Sequence, residues 1–433
     1  MAVRTQDARR ERTRRRHTAG AVLAGRERTR RRHTAGAVLA GLLLASACAA
    51  PRETATGLTA QEVGATLDRR AAAVLSHDTE GYLAATDPGA TAFRTAQRAE
   101  LGNLADVPLE SWAYQVKGVT RHGADRATAD VELRYRVKGY DDAPMSSART
   151  VELVRHGEGG PWYIAADRAG KDAPEQLWQQ GDVEVVRGAR SLVLGVGRRT
   201  GELRRIADTV DRAVPAVDES WPVPWAGRVV VLVPESVEDM AGLLDRPAAS
   251  YRGIAAVTTG AVGGTGRRPA DRVIVNPQAY GMLGEFGQRV VLTHETTHVA
   301  TRSDTSAATP VWLSEGFADR TAYRQESRTA RELAPELAGA VRRGQLPAGL
   351  PSDEDFGFEG DPAKLARAYE GGWLACEMIA EEWGDQDLIA FYRAVGGAPA
   401  RDGAVEHALQ SVLGTTPEDF TARWREYLRD RLG

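Results

Sequence analysis

The sequence has 433 residues, of which 42% are hydrophobic, and carries a formal net charge of −3. These values are typical of a globular protein with room for two or three domains, and nothing after residue 50 resembles a membrane span. Arginine outnumbers lysine by 52 to four, but beyond the N-terminus the arginines are scattered among acids. This pattern argues against nucleic acid as a partner.

The first 47 residues have the composition of a signal peptide. The stretch RERTRRRHTAGAVLAG occurs at 10–25 and again, letter for letter, at 26–41. We interpret it as a tandem copy of a targeting segment; either the duplication is real or translation starts inside it. The second copy supplies a basic region and then an apolar region at 34–47, which is too short for a membrane-spanning helix.

The signal ends in a cysteine motif. LASAC, at 44–48, resembles a bacterial lipobox, although Ala45 stands where leucine is more usual. The resemblance implies that Cys48 is lipidated, becomes the mature N-terminus and anchors the protein to the outside of the bacterial cell membrane. The alternative is an ordinary secretory signal cut near Ala50.

Removal of the signal changes the charge and the cysteine count. The 47 residues hold 12 arginines and three acids, so the mature chain has 44 basic and 56 acidic residues. This acidic balance again disfavours nucleic acid. If Cys48 is lipidated, Cys376 is the one other cysteine, and no disulfide can form within the chain.

Residues 48–57 are expected to form a tether and 58–175 an accessory α+β domain. Residues 58–86 have apolar positions at helical spacing. Strand-rich runs follow at 111–123, 126–140 and 148–167, with a hairpin turn across Gly157 to Pro161. Helices followed by a curved antiparallel sheet resemble nuclear transport factor-like domains.

A second α+β domain is predicted over 180–433. A strand-like run at 182–197 precedes an amphipathic helix at 200–221, and further strands are predicted at 227–234, 250–260 and 271–277. After Val290 the pattern is almost entirely helical. We therefore expect a small sheet followed by a helical lobe.

The stretch VVLTHETTHVA, at 290–300, lies where the sheet gives way to the helices. Four residues separate His294 from His298, which places both rings on one helix face, about one turn apart. Zinc binds imidazole nitrogen readily, and a catalytic zinc has three protein ligands and one water. Glu295 lies beside that face and can transfer a proton from water to a leaving amine.

A second motif, TPVWLSEGFADR, supplies carboxylates 17 and 21 residues after His298. We expect a helix with Thr309 as N-cap and Pro310 as its first residue. A loop between two helices can return Glu315 to the metal. Asp319, one turn later, can accept a hydrogen bond from a ligand histidine and orient its ring.

Together HETTH and WLSEGFAD resemble the gluzincins, the zinc peptidases that include thermolysin and the alanyl-type aminopeptidases. The resemblance spans roughly 250–385. It implies one zinc ion held by His294, His298 and Glu315. It also implies that Glu295 is the general base and that Asp319 accepts a hydrogen bond from a ligand histidine. A third histidine ligand close after His298 is missing, which disfavours a metzincin site.

The stretch AYEGGWLACEMIAEEWG, at 368–384, is similar to the tyrosine helix of the aminopeptidases. This similarity implies that the Tyr369 hydroxyl stabilises the oxyanion; the alternative is a tyrosine that packs in the core. The aminopeptidases' Gly-x-Met-Glu-Asn stretch, which binds the substrate amine, is missing. Exopeptidase activity is therefore not implied.

The sequence predicts a lipid-anchored, extracytoplasmic zinc metallopeptidase that acts on peptides or proteins. One rival is a non-catalytic surface binding lipoprotein on a peptidase-like scaffold, for which loss of Glu295 or of a ligand is the expected mark. The other is a structural zinc site, which usually has four cysteine-rich ligands. The sequence retains Glu295 and the ligands but lacks the cysteines.

Overall fold

The structure is a computed structural model that describes residues 57–171, 173–260, 268–357 and 361–433. The signal segment at 1–47, Cys48 and all but the last residue of the predicted tether lie outside these ranges. Lipidation and membrane anchoring therefore stay predictions. Within the described ranges, no helix combines the length and the apolar character that crossing a membrane requires.

Two sheets and a long run of helices make up the described chain. The strands are β1 (Leu109–Arg121), β2 (Arg126–Val137), β3 (Met145–Arg155), β4 (Trp162–Ala169), β5 (Val183–Arg187), β6 (Ser191–Val196), β7 (Val229–Val233), β8 (Ala256–Thr259) and β9 (Arg272–Val275). The helices are α1 (Gly57–Leu75), α2 (Thr79–Ala84), α3 (Thr91–Asn103), α4 (Leu177–Gln180), α5 (Thr200–Ser220), α6 (Val237–Leu244), α7 (Pro277–Gly281), α8 (Glu285–Thr301), α9 (Val311–Tyr323), α10 (Ala330–Leu333), α11 (Pro335–Arg342), α12 (Pro362–Glu382), α13 (Asp385–Gly396), α14 (Ala404–Ala408) and α15 (Pro417–Leu432).

The N-terminal domain packs α1 against a four-stranded antiparallel sheet with the order β1-β2-β3-β4. Strand β2 alternates buried with less buried residues, and Val131 and Leu133 point inward while Glu132 and Arg134 do not. This period of two places one face of the sheet against the core. The helix-plus-sheet arrangement matches the prediction, whereas the resemblance to nuclear transport factor-like domains stays a prediction.

A five-stranded mixed sheet with the order β5-β6-β7-β9-β8 follows. Strands β6, β7 and β9 are parallel, and β5 and β8 lie antiparallel at the two edges. Alternate residues of β7 contribute to two hydrophobic clusters. Val231 packs with α5 and α8, whereas Leu232 packs in the cluster shared with the N-terminal domain. Because both faces are covered, β7 is an almost continuous run of valine.

Strand β8 is shorter than the strand predicted over 250–260. A 3-10 turn occupies Ala248–Tyr251, and the backbone N–H of Ile254 donates to the Tyr251 carbonyl at 3.0 Å. The turn uses backbone N–H and C=O groups that would have to pair with a neighbouring strand if β8 were longer. Four residues, Ala256–Thr259, remain to pair with β9.

The two domains share one hydrophobic core. Trp112 and Tyr135 of the N-terminal sheet pack against Trp178, with ring centroids 5.5 and 5.0 Å from its ring. The same cluster continues into Leu192 and Ile274 of the mixed sheet. The N-terminal domain therefore forms one packed unit with the rest of the chain.

Beyond α8, the described residues form the predicted helical lobe. Its core includes Trp312, Phe317 and Trp373, which are all buried. Helices α9 and α12 approach so closely that a Cβ on Gly316 would lie 2.2 Å from the Gly372 carbonyl oxygen. Glycine at this crossing lets the two backbones come into contact. This contact sets the position of α9 relative to α12.

Candidate metal centre

Helix α8 is buried on nearly all sides from Val290 to His298, although it contains several polar residues. Two of its threonines bond within the helix, because Thr296 donates to the Leu292 carbonyl at 2.7 Å and Thr297 donates to the Thr293 carbonyl at 2.8 Å. Such bonds to the preceding turn let hydroxyl groups enter a core at low cost. The imidazoles and Glu295 instead have their side-chain partners on other elements.

Three side chains converge from two helices. The Nε2 atoms of His294 and His298 lie 2.9 Å apart, and Glu315 Oε2 lies 3.1 Å and 3.5 Å from them. Spacing of four residues on α8 brings the rings together, and α9 supplies the carboxylate from across the helix pair. All three side chains are buried.

Helix α9 begins one residue later than predicted. Pro310 is the N-cap, with extended backbone, and Val311 is the first helical residue. Thr309 is therefore not the cap; its hydroxyl accepts from the Ser306 backbone N–H at 3.1 Å. The first turn is bound instead by Asp353, whose carboxylate accepts from the Val311 N–H at 2.9 Å.

Asp319 lies one turn after Glu315 and contacts the other nitrogen of a predicted ligand. Its Oδ1 is 2.7 Å from His294 Nδ1. An Nδ1–H donated to this carboxylate leaves the Nε2 lone pair facing His298 and Glu315, which is the tautomer that a metal requires. The role of Asp319 in orienting a metal ligand stays a prediction.

Buried charges set the protonation of the centre in the metal-free protein. Burial opposes a charge on His294, but Asp319 and Glu315 outweigh it and raise its pKa to about 10. Burial lowers the pKa of His298, and the two histidines overcome burial to lower the pKa of Glu315 to about 2. A metal would therefore displace a proton from His294 as it binds.

Glu295 is fully buried, and one of its carboxylate oxygens has a partner. Thr258 Oγ1, on β8, donates to Glu295 Oε2 at 2.6 Å. Oε1 is buried and has no hydrogen-bond partner among the described residues. Burial raises the pKa of Glu295 to about 7. A carboxylate with one oxygen held and the other free can accept a proton in a fixed direction.

Tyr369 is the eighth residue of α12 and is 5% exposed. Its ring packs edge-on against Phe356, with centroids 5.0 Å apart. This packing places the ring in the core of the helical lobe. A role for its hydroxyl at the metal centre stays a prediction.

Sequence reasoning did not find Thr258. It lies in the strand-like stretch SYRGIAAVTTG, and neither its residue type nor its position marks it as part of a site. The contact arises because α8 packs against β8, 37 residues away in the chain. The ion pair of 2.9 Å between Asp271, directly before β9, and Arg302, directly after α8, was also not predicted.

The residues present fit a zinc ion. For four ligands in a tetrahedron at zinc–nitrogen distances of about 2.0–2.1 Å, neighbouring ligand atoms lie about 3.4 Å apart. The observed separations of 2.9, 3.1 and 3.5 Å are close to that edge length. Two imidazoles and one carboxylate, without cysteine, are the donor set of catalytic zinc sites.

Comparisons with known proteins give distant matches. No protein-family model and no curated protein matches the sequence. Native yeast LTA4 hydrolase is similar over 65% of this chain and 44% of its own, with 14% identity and a TM-score of 0.33. This chain therefore spans less than half the length of that hydrolase.

An M1 zinc metallopeptidase from Deinococcus radiodurans is similar over 72% of this chain and 91% of its own, with 12% identity and a TM-score of 0.32. A form of that enzyme bound to a Tyr-Ser-Ala substrate gives 11% identity and a TM-score of 0.33. Structural similarity this low establishes neither fold nor function. The chemistry that the site can perform is therefore inferred from its own residues.

Proposed function

We propose that this protein is a zinc metallopeptidase of the gluzincin type. The observation that carries the proposal is the convergence of His294, His298 and Glu315 beside a buried Glu295 whose Oε1 has no partner among the described residues. The first three would hold the ion. When bound, zinc would supply a Lewis acid that activates water and polarises a carbonyl group.

Residues of the chain itself carry out the remaining steps of the proposed mechanism. Glu295 accepts a proton at Oε1 from the attacking water and returns it to the leaving amine, while Thr258 holds Oε2 in place. Asp319 holds the His294 ring by its Nδ1. Tyr369 is proposed to donate its hydroxyl to the oxyanion.

The proposed substrates are peptides or proteins. Strand β8, the outer strand of the mixed sheet, lies beside the proposed base, because its Thr258 donates to Glu295 Oε2 at 2.6 Å. Ala256, Val257 and Thr258 are buried, so this strand supports the base from within the core.

The experiment measures zinc content and peptide cleavage together. Protein purified without chelator should hold about one zinc per chain, and His298→Ala should lose most of it. His407→Ala, which removes an exposed histidine, is the control and should keep its zinc. Full occupancy in His298→Ala would show that the proposed ligand set is wrong.

Cleavage is tested with a peptide library and the Glu295→Gln variant. The variant should keep its zinc and its fold but lose about 10²–10⁴-fold in turnover, because proton transfer is lost. Wild-type turnover in Glu295→Gln would contradict the mechanism. A wild-type protein that holds zinc but cleaves nothing would favour the non-catalytic binding lipoprotein instead.

Location is a separate part of the proposal. The lipobox-like LASAC stretch supports attachment of the protein to the extracytoplasmic face of the membrane through lipid on Cys48. Cys48→Ala should release the protein into the medium or leave it unprocessed. Retention of the processed variant on the membrane would contradict lipid attachment at this residue.

A further inference from the structure

The loop between β2 and β3 places a buried carboxylate at the boundary with the mixed sheet. The Asp141 side chain is fully buried, and its Oδ2 accepts from the Val137 backbone N–H within the N-terminal domain at 2.7 Å. The other bonds of this carboxylate cross the domain boundary. Oδ1 accepts from the Ala270 backbone N–H at 2.9 Å, and Oδ2 accepts from Arg272 Nη2 at 2.8 Å.

These bonds hold the start of β9. Arg272 is the first residue of the strand and is 5% exposed, so its charge depends on Asp141 for compensation. A third bond joins the same segments, because the Ala143 N–H donates to the Arg268 carbonyl at 3.1 Å. A buried, charge-assisted contact of this kind is costly to break from one side.

From β9 the connection continues into the metal centre through β8. Arg272 pairs with Thr259 and Val273 pairs with Thr258 in the antiparallel register. Thr258 then donates to Glu295 Oε2 at 2.6 Å. The β8–β9 pair (residues 256–259 and 272–275) therefore joins the Asp141 carboxylate to the carboxylate of the proposed base.

A second connection runs through the residue between Ala270 and Arg272. The carboxylate of Asp271 accepts from Arg302 Nε at 2.9 Å, directly after the last residue of α8. It also lies so close to the end of β8 that a Cβ on Gly260 would be 1.5 Å from Asp271 Oδ1. The segment that Asp141 holds is thus tied to the end of the helix that carries His294 and His298.

We propose that Asp141 is a positioning residue through which the N-terminal domain holds the β8–β9 pair, and with it Thr258 and Glu295, in the geometry of the site. The catalytic part of this inference rests on the proposed function. This proposal gives the N-terminal domain a role. Its residues, before 176, help to position an active centre that is formed by residues after 180. The shared core around Trp178 supplies the rigidity that such a role needs.

The test compares two buried aspartates. Asp141→Asn removes the charge that Arg272 and Ala270 use. Asp167→Asn is the matched control, because Asp167 is similarly buried and is bound by Arg149 at 2.8 Å and Arg70 at 3.3 Å, both within the N-terminal domain. Amide hydrogen exchange over 256–259 and 270–275, zinc content, kcat and KM are measured for both variants.

Asp141→Asn should raise exchange over these segments on the order of tenfold, because charged hydrogen bonds are lost. It should keep its zinc and lose about 10- to 100-fold in kcat through displacement of Glu295. Asp167→Asn should leave exchange at β8–β9 and kcat unchanged even where it lowers the melting temperature. Equal effects of the two variants on exchange would overturn the proposal.

If Asp141→Asn does not fold, the double variant Asp141→Asn/Arg272→Gln removes both charges and avoids an uncompensated buried arginine. It should show the same direction of change, and unaltered exchange over 256–259 would again overturn the proposal. A wild-type protein that cleaves no peptide would end the proposed function alone, because the exchange measurement decides the positioning role without activity.

Discussion

At the scale of single residues, two buried carboxylates show how surroundings determine a role. Glu295 has one oxygen held by Thr258 and one without a partner among the described residues. Glu370, on α12, uses both oxygens to accept the backbone N–H groups of Glu336 and Leu337 at the start of α11. The first arrangement leaves one oxygen available for the proton transfer proposed for Glu295, and the second caps a helix.

Thr258→Val tests the contact with Glu295. It keeps the shape of the side chain but leaves Oε2 buried without a donor, so kcat should fall about tenfold while zinc content is kept. Thr258→Ser restores the hydroxyl and should restore most of the rate. Thr321→Val is the control, because the Thr321 hydroxyl donates to the Phe317 carbonyl. An equal loss in the control would remove Thr258 from the site.

Glu370 should make stability depend on pH. Burial raises the pKa of Glu370 to about 8, in spite of its two backbone donors. Because the folded value lies above the unfolded value of about 4.3, its stabilising contribution is complete below about pH 4 and is lost as the pH rises through about 8. Between pH 5 and pH 9 the melting temperature of Glu370→Gln should therefore fall less than that of the wild type.

Exposed Glu354 supplies the control for this measurement. Glu354→Gln should keep the wild-type slope of melting temperature against pH, since an exposed carboxylate contributes little. Parallel slopes for wild type and Glu370→Gln would show that Glu370 does not cause the dependence.

At the scale of elements, the crossing of α9 and α12 determines where Glu315, the proposed third zinc ligand, lies. Gly316 directly follows Glu315 and faces the Gly372 carbonyl, so the helix backbones meet beside the ligand. Helix α9 cannot move away from this contact without moving Glu315 and Asp319. The close approach therefore serves both packing and the metal centre.

Gly316→Ala should destabilise the fold by about 1–3 kcal/mol, because its Cβ meets backbone that cannot rotate away. It should also weaken zinc binding through displacement of Glu315. Gly64→Ala in α1 is the matched control: no atom lies within 4 Å of its Cβ, and helix propensity predicts a gain of up to about 1 kcal/mol. Urea unfolding and zinc titration measure both variants, and a stable Gly316→Ala with full zinc affinity would contradict the account.

At the scale of the whole molecule, the shared core makes the two domains one folding unit. Residues of the N-terminal sheet share a cluster with one face of the mixed sheet and with α4 and α6, and helices α5 and α8 pack on the other face. Leu192, Leu194 and Ile274 of the mixed sheet belong to the shared cluster. The candidate metal centre lies on α8 and α9, and its ligand set comes together in the folded state alone.

Calorimetry should therefore show one unfolding transition rather than two. A chelator should lower the melting temperature, since zinc at a hundredfold excess over its Kd stabilises the fold by about 2.7 kcal/mol. The melting temperature of His298→Ala should not respond to zinc or chelator. Two separate transitions in the metal-free protein would show that the shared core does not couple the domains.

The α+β arrangement, the helix that carries His294 and His298, and the return of Glu315 could be predicted from the sequence. The first two depend on local periodicity: a spacing of four residues places two rings on one helix face whatever surrounds them. The return of Glu315 was expected from the loop between two helices and from the resemblance to the gluzincins. Local sequence patterns were less exact in predicting where helices begin and end. Thr309 was expected to cap α9, but the chain enters through Pro310, and α3 (Thr91–Asn103) was not predicted.

By itself, the sequence determined that His294 and His298 share one face of α8, because helix geometry aligns residues four apart. The tertiary structure alone decided that Thr258 holds Glu295 and that Asp141 holds β9. These contacts join residues 37 and 131 positions apart. No periodicity encodes them, since they depend on which sheet face packs against α8 and on which loop of the N-terminal domain meets the start of β9.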